Sequence, residues 1–402
     1  MIWVVQDPRG KIMLLRNVKL WNGTGEGYSD DYDAIRITSA GTLTLTSSDD
    51  HQRGELERDL SGSFVIPGLI DAHIHLCLDP DESDPFAHGK LPESEQLAAM
   101  QIRAAKMVDA GITTARDLGG GQWLELKIRD AIAAGEIPGP RLICAGQPIT
   151  STGGHCHFWG GEAEDLDAAL KVIERQTEAG VDLIKVMATG GNITPGSSPA
   201  DAQFDQNTMT EIVRAAREGG YCVAAHCHGV DGIAHAARAG VTTIEHCSWV
   251  GPKGWGKHYE PEIAEEIAAR GIWISPTVNA GWARHLNNPS YVTAVQARYR
   301  AMRDKGCQFI ASTDAGIPRV YHQDLPKALA VFRQIADFSP VQTLRSATSD
   351  CAKALAIDHV TGRLETGLSA DLLIFDQSPL ADLSILENPE FVFAQGRLIK
   401  GE

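Results

Sequence analysis

Six side chains that could bind metal are the residues of this sequence best suited to chemistry: His73, His75, Lys185, His226, His246 and Asp314. His73 and His75 lie two positions apart in GLIDAHIH. On a β-strand, both imidazoles would project to the same side and could bind one ion. An H-x-H pair alone is not specific, because ordinary hydrogen bonds satisfy many buried histidines.

Lys185 is the unusual member of the set, because it interrupts the apolar run 183–187. Its side chain should lie on the strand face opposite Ile184 and Val186. Burying a bare ammonium is costly, so the lysine is expected to be paired, neutral or chemically modified. A neutral amine can add carbon dioxide, and the resulting carbamate offers two anionic oxygens that can bridge two metals. A lysine paired with an acid inside the fold remains the alternative.

The elements that must position these residues alternate between apolar strands and helical stretches from about Gly68 onwards, a pattern typical of a parallel sheet. Eight strands are predicted, at 68–75, 112–118, 141–146, 182–189, 222–228, 242–248, 271–277 and 308–314. Eight strand-helix units of this total length suit a (β/α)8 TIM barrel.

Most of the distinctive polar residues fall at the carboxyl ends of these strands, where barrel enzymes keep their active sites. Seven of the 14 histidines lie there, at positions 73, 75, 155, 157, 226, 228 and 246. His226 and His246 end the fifth and sixth strands, and Asp314 ends the eighth. Imidazole and carboxylate together suit zinc and similar divalent ions, so the sequence predicts a metal site at this barrel mouth.

Three segments are predicted from the change in pattern along the chain. Residues 1–66 contain short strand-like pieces, such as 12–20 and 34–37, and residues 67–357 form the barrel. Residues 358–402 return to strand-like sequence. We expect the two terminal segments to form one small β-sandwich domain.

The composition restricts the classes of function. A formal net charge of −16 over 402 residues would repel phosphate backbones, and no apolar run is long enough to span a bilayer. The N-terminal segment lacks the pattern of a signal peptide, and the eight scattered cysteines favour reduced thiols. We expect a cytoplasmic homo-oligomer that acts on a small-molecule substrate and binds neither nucleic acid nor membrane.

Several motifs resemble those of the amidohydrolase superfamily, over nearly the whole chain. They are VIPGLIDAHIHL (65–76), LIKVMATGG (183–191), AAHCHG, TIEHCS, STDAG (312–316) and GRLETGLSADLLIFD (362–376). Within the superfamily the sequence looks most similar to the prolidase-like and imidazolonepropionase-related branch, which includes peptidases and hydrolases of other amides.

The resemblance implies a centre of two divalent ions, expected to be Zn²⁺, completed by a bridging hydroxide. The implied ligands are His73, His75 and Asp314 on the buried ion, His226 and His246 on the exposed ion, and carboxylated Lys185 between them. Two ions lower the pKa of a bound water and polarise a carbonyl at once. Asp314 would then pass the proton to the leaving nitrogen as a general acid-base catalyst.

Four further residues are candidates for substrate binding. His155 matches the position where relatives present a histidine to the substrate. His228 stands where prolidase-like relatives usually carry tyrosine, which puts dipeptide specificity in doubt. Arg116 could hold a carboxylate or form a structural ion pair, and Tyr321 is a candidate at the rim together with Arg319.

The function expected from these features is hydrolysis of an amide bond in a small molecule, such as an N-acyl amino acid or a dipeptide-like compound. An ester, lactone or carbamate hydrolase on the same two metals is an alternative. A heterocycle deaminase is another, but such enzymes place a glutamate about three residues after the fifth-strand histidine, where this chain has Val230 and Asp231. A non-catalytic relative would lose ligands that are all present here.

Overall fold

The computed structural model describes residues 12–84 and 87–401. In this part of the chain, parallel strands alternate with helices in a TIM-barrel-like α/β fold. The predicted α/β fold class is therefore confirmed. Residues 1–11 of the predicted N-terminal segment lie outside the described residues. None of the helices that the structure describes combines the length and apolar character needed to cross a bilayer.

Six short strands precede the parallel part of the fold. They are β1 (Met13–Arg16), β2 (Lys19–Leu20), β3 (Ala34–Ile37), β4 (Leu43–Thr46), β5 (Leu56–Asp59) and β6 (Phe64–Pro67). The single strand predicted at 12–20 is in fact two strands, because Asn17 has a left-handed backbone with φ of 58°. Four of the six strands form one sheet in the order β4-β3-β1-β5.

Ten further strands, all in parallel pairs, follow in the described residues; eight of them lie at the predicted positions, some shorter than expected, and the two short ones after β9 were not predicted. They are β7 (Leu69–Ile74), β8 (Ile112–Asp117), β9 (Arg141–Cys144), β10 (Thr150–Ser151), β11 (Glu162–Ala163), β12 (Leu183–Met187), β13 (Cys222–Gly229), β14 (Thr243–Val250), β15 (Trp273–Ser275) and β16 (Gln308–Phe309). Strands β7-β8-β9 form one parallel sheet and β12-β13-β14-β15-β16 form another. The short strands β10 and β11 pair with each other in the connection after β9.

Single parallel bridges join the two sheets at both edges. Ile149 bridges to Val186 of β12 on one side, and Ile74 of β7 bridges to Ala315 on the other. The predicted eighth strand is shorter than expected, because β16 ends at Phe309 and the chain continues to Ala315 outside any ladder. A fully closed eight-stranded barrel therefore stays a prediction.

Helices pack around the parallel strands, and several begin and end as their sequences suggest. They are α1 (Glu93–Asp109), α2 (Leu124–Ala134), α3 (Leu166–Ala179), α4 (Gln206–Glu218), α5 (Val230–Ala239), α6 (Pro261–Ala269), α7 (Ala283–Leu286), α8 (Pro289–Asp304), α9 (Leu325–Ala336), α10 (Pro340–Ser346) and α11 (Ser349–Ala354). For example, Asp165 caps α3 by accepting from the Ala168 amide, and Gly180 ends the helix in a left-handed conformation.

The last strands return to the sheet that the N-terminal segment begins. They are β17 (Leu372–Phe375), β18 (Phe391–Ala394) and β19 (Arg397–Lys400), and the sheet order is β19-β18-β17-β6-β2. Leu15 and Ile35 of one sheet share an apolar core with Leu372 and Phe393 of the other. The two terminal segments thus pack together, while the β-sandwich and the exact domain boundaries stay predictions.

Candidate metal centre

All six predicted metal ligands line one cavity of about 900 Å³ at the carboxyl ends of the parallel strands. Two of the four predicted substrate-binding residues, His155 and His228, line it as well. The cavity therefore brings together side chains from β7, β12, β13 and β14 and from the segment after β16. Parallel strands place their carboxyl ends on one side of the sheet, which is why residues so distant in sequence meet here.

His73, His75 and Asp314 form the first group. The Nε2 atoms of the two histidines lie 3.3 Å apart, and they lie 3.3 and 3.5 Å from the same Oδ1 of Asp314. Asp314 reaches this position because its backbone amide donates to the His73 carbonyl, which ties the last segment to β7. Three potential ligand atoms thus converge on one point.

In each of these two histidines, Nδ1 is hydrogen-bonded to an oxygen that can only accept a hydrogen bond. His73 Nδ1 donates to Oε2 of Glu245 at 3.0 Å, and His75 Nδ1 donates to the Gly119 carbonyl at 2.9 Å. Burial lowers the pKa of His73 to about 4, so its ring is neutral near neutral pH. In both rings Nε2 is therefore the nitrogen on the side of Asp314, with an outer partner on Nδ1, as is usual for a ligating histidine.

Glu245 is held in the fold interior by Arg116 of β8. Its Oε1 accepts from the Arg116 guanidinium at 2.8 Å and from the Thr243 hydroxyl at 2.5 Å. Burial raises the pKa of Glu245, but Arg116 and His73 outweigh that effect and hold the pKa well below its usual value. Glu245 is therefore a carboxylate that orients His73 from behind.

His226 and His246 form the second group, with ring centroids 4.5 Å apart. His226 Nε2 donates to the Gly190 carbonyl at 3.1 Å, and His246 Nδ1 is hydrogen-bonded to the Thr277 hydroxyl at 2.8 Å. Burial lowers the pKa of both rings well below the usual value. Each ring is thus neutral and keeps one nitrogen free on the cavity side.

Lys185 lines the same cavity as the two groups, and it is only 1% exposed. Among the described residues, no hydrogen bond or close ion pair involves its amine, while the carboxylates of Glu245 and Asp314 act on it electrostatically from a greater distance. Burial lowers the pKa of Lys185 to about 8, which makes a neutral amine accessible near neutral pH. An unpaired buried amine beside five other ligand-type side chains fits a carboxylated bridging lysine and two divalent ions.

Left-handed backbone conformations concentrate at this end of the strands. His246, Thr277 and Asp314 have φ of 65°, 53° and 61°. Non-glycine residues adopt such angles at a cost on the order of 1–3 kcal/mol each, and they cluster at functional sites. The strain at His246 has a direct consequence: it breaks strand alternation, so the adjacent residues Glu245 and His246 both reach the site.

The predicted substrate-binding residues differ in where they lie. The His155 ring is hydrogen-bonded to Thr194 at 3.0 Å, and its centroid is 4.6 Å from that of His226. Gly191 makes this approach possible, because a Cβ there would lie 2.3 Å from the His155 ring. His228 lies beside His226 and His246.

Arg116 and Tyr321 do not line the cavity. Arg116 is 3% exposed and its donors go to Ala72, Thr243 and Glu245, so the structure has the ion pair rather than a carboxylate-binding arginine. The Tyr321 hydroxyl donates at 2.7 Å to Asp81, which does line the cavity. Tyr321 thus reaches the cavity only indirectly, through Asp81.

Sequence reasoning missed three parts of the site: Glu245, Thr277 and Trp255. Glu245 was missed because strand alternation places it opposite His246. Thr277 carries no signal of its own in the sequence. Trp255 lines the cavity with 51% of its surface exposed and lies 4.9 Å from the His228 ring, and a tryptophan in the glycine-rich segment GPKGWGK could have been noticed.

The sequence and the fold of this chain are similar to those of known enzymes. A family model described as the amidohydrolase family matches residues 64–399. Ochratoxinase of Aspergillus niger is 26% identical over 377 residues, covering 84% of this chain and 76% of that protein. Imidazolonepropionase of Fusobacterium nucleatum subsp. nucleatum is 21% identical over 382 residues, covering 85% and 84%. The crystal structure of a Xaa-Pro dipeptidase with bound methionine superposes with a TM-score of 0.84 at 25% identity, covering 97% of this chain and 100% of that one.

Proposed function

This chain belongs to the amidohydrolase family and is a hydrolase of carbon–nitrogen bonds, and from that premise we propose that it cleaves an amide bond of a small molecule. The substrate class is an N-acyl amino acid or a dipeptide-like compound. Two divalent ions, with Zn²⁺ as the expected metal, serve the reaction.

The observation that carries this proposal is the convergence of three potential ligand atoms in the first group. Glu245 and the Gly119 carbonyl each accept a hydrogen bond from the Nδ1 of one ring, which leaves the two Nε2 atoms, 3.3 Å apart beside a carboxylate oxygen, as the atoms available for ligation. A cation among these three atoms would be bound by all of them at once. A buried donor set of imidazole and carboxylate suits a divalent ion of the zinc type.

The proposed division of ligands follows the two groups. His73, His75 and Asp314 would hold one ion, His226 and His246 the other, and Lys185, carboxylated on its free amine, would bridge them. When bound, such ions supply Lewis acidity toward a carbonyl and activate a water.

The chain's own residues supply the remaining chemistry. Asp314 keeps 16% of its side chain exposed in the cavity, so a carboxylate oxygen can take a proton and deliver it to the leaving nitrogen. The neighbouring His155 can donate a hydrogen bond to the substrate from the ring nitrogen that Thr194 does not occupy. The cavity of about 900 Å³ accommodates a small molecule.

We extend the proposal to the finer fold. The bridges at Ile74 and Ile149 support closure of the parallel strands into a (β/α)8 barrel over residues 67–357. The shared apolar core supports a β-sandwich built from residues 1–66 and 358–402.

A hydrolysis screen tests the function. N-acyl amino acids and dipeptides are compared with ureas, carbamates, lactones and aminated heterocycles, and the Asp314→Asn protein serves as the inactive control. We expect cleavage of at least one amide and its loss in the variant. Release of ammonia from heterocycles, or ester and lactone cleavage without any amide cleavage, would overturn the proposal.

A further inference from the structure

We propose that His228 is a third imidazole ligand of the second metal position, making it a site of three histidines rather than two. The inference rests on the proposed metal-dependent function. It also gives His228 a role different from the substrate contact expected from the sequence.

The three rings form a nearly equilateral triangle. The ring centroids of His226, His228 and His246 lie 4.6, 4.5 and 4.5 Å apart. One ring nitrogen from each of them lies within 4.8 Å of the other two. Ligand nitrogens around a tetrahedral zinc are about 3.4 Å apart, given zinc–nitrogen bonds of about 2.1 Å, so small rotations of the rings would close the site.

Each ring is oriented by a hydrogen bond on the side away from the others. His228 Nδ1 is bonded to the Ser248 hydroxyl at 2.9 Å, His246 Nδ1 to Thr277 at 2.8 Å, and His226 Nε2 to the Gly190 carbonyl at 3.1 Å. Among the described residues, nothing hydrogen-bonds to the remaining nitrogen of any of the three. An outer partner on one nitrogen and a free lone pair on the other is the usual state of a ligating histidine.

The backbone is built to place His228 here. The β13–β14 ladder shifts register between Cys227 and Gly229, so His228 lies at an irregularity, and such irregularities re-aim side chains. On the facing strand, Cys247 and Trp249 have left-handed backbones, which present the intervening Ser248 to the ring. The His228 amide also donates to the Thr189 hydroxyl at 2.9 Å, which fixes its position further.

A purely structural role does not account for this arrangement. His228 is 8% exposed and lines the same cavity as His226 and His246, and one ring nitrogen of each of the three lies within 4.8 Å of the other two. A shared cation satisfies all three at once.

Metal retention tests the assignment without relying on turnover. The wild-type, His228→Asn and His285→Asn proteins are loaded with Co²⁺ and titrated with a chelator while the visible spectrum is recorded. His285 lines the same cavity but belongs to neither ligand group, so its variant is the matched control. We expect His228→Asn to lose one of two ions with a dissociation constant raised at least about 100-fold, since loss of an outer-shell partner alone costs 10–100-fold.

The Ser248→Ala protein is a milder second variant, in which the ring remains but loses its orienting hydroxyl. We expect it to bind the second ion about 10-fold more weakly. If His228→Asn keeps both ions with the wild-type dissociation constants and spectrum, the inference is wrong. A raised KM in that variant would then indicate that His228 binds substrate, as the sequence predicted. If the wild-type protein binds two ions but hydrolyses no amide, the proposed function is contradicted and the test of His228 as a ligand remains valid. If the wild-type protein binds no ion, both the proposed function and the assignment of His228 are contradicted.

Discussion

The ion pair beneath His73 gives the sharpest prediction for stability. Glu245→Gln keeps the shape of the side chain but removes its charge, and the new amide group cannot accept from both Arg116 and His73. Arg116 is 3% exposed, and Glu245 is its partner at 2.8 Å, so the variant leaves a buried cation without an anion. Breaking a buried pair in this way costs about 3–5 kcal/mol.

We therefore expect the free energy of unfolding of Glu245→Gln to fall by about 3–5 kcal/mol in urea titrations. The titrations are run with chelator present, so that loss of a bound ion does not add to the effect. The double variant Arg116→Met with Glu245→Gln removes both charges and should recover part of the loss. A fall below about 1 kcal/mol in the single variant, or a double variant no more stable than the single one, would refute the reasoning.

Three further predictions concern other parts of the molecule. Gly191→Ala should displace His155 and raise KM, while Gly27→Ala, where a Cβ meets nothing within 4 Å, should match wild type in steady-state kinetics. Carbon-13 NMR with labelled bicarbonate should show a carbamate resonance that is absent from Lys185→Ala; the same resonance in both proteins would exclude this lysine as its source. Phe393→Ala in the core of the terminal sheets should lower the unfolding free energy by about 3–5 kcal/mol in urea titrations, and an unchanged value would contradict the shared core.

The sequence was sufficient for the family, the coarse fold and the convergence of the ligand-type residues. Strand period and strand ends predicted that His73, His75 and His226 would share one opening, and the structure places them there. The resemblance to the amidohydrolase superfamily is confirmed by the family match over residues 64–399.

The parts that sequence reasoning missed depend on the backbone and on tertiary contacts. Strand alternation places Glu245 opposite His246, but the left-handed φ of His246 brings both to the site. Asp314 lies beyond the last ladder and is held by a bond to the His73 carbonyl, which strand propensity does not predict. Arg116 finds its partner 129 residues away, and a single sequence does not reveal such a pairing.

In the proposed centre, side chains that are distant in the chain hold two cations at one opening of the fold. The most direct measurement is a crystal structure of the purified protein with anomalous scattering data collected at the metal absorption edge. Two anomalous peaks are expected, with the first beside His73, His75 and Asp314, the second beside His226, His228 and His246, and a carboxylated Lys185 between them. Absence of any peak, with Lys185 turned out of the cavity and the histidine nitrogens capped by ordinary hydrogen bonds, would contradict the account.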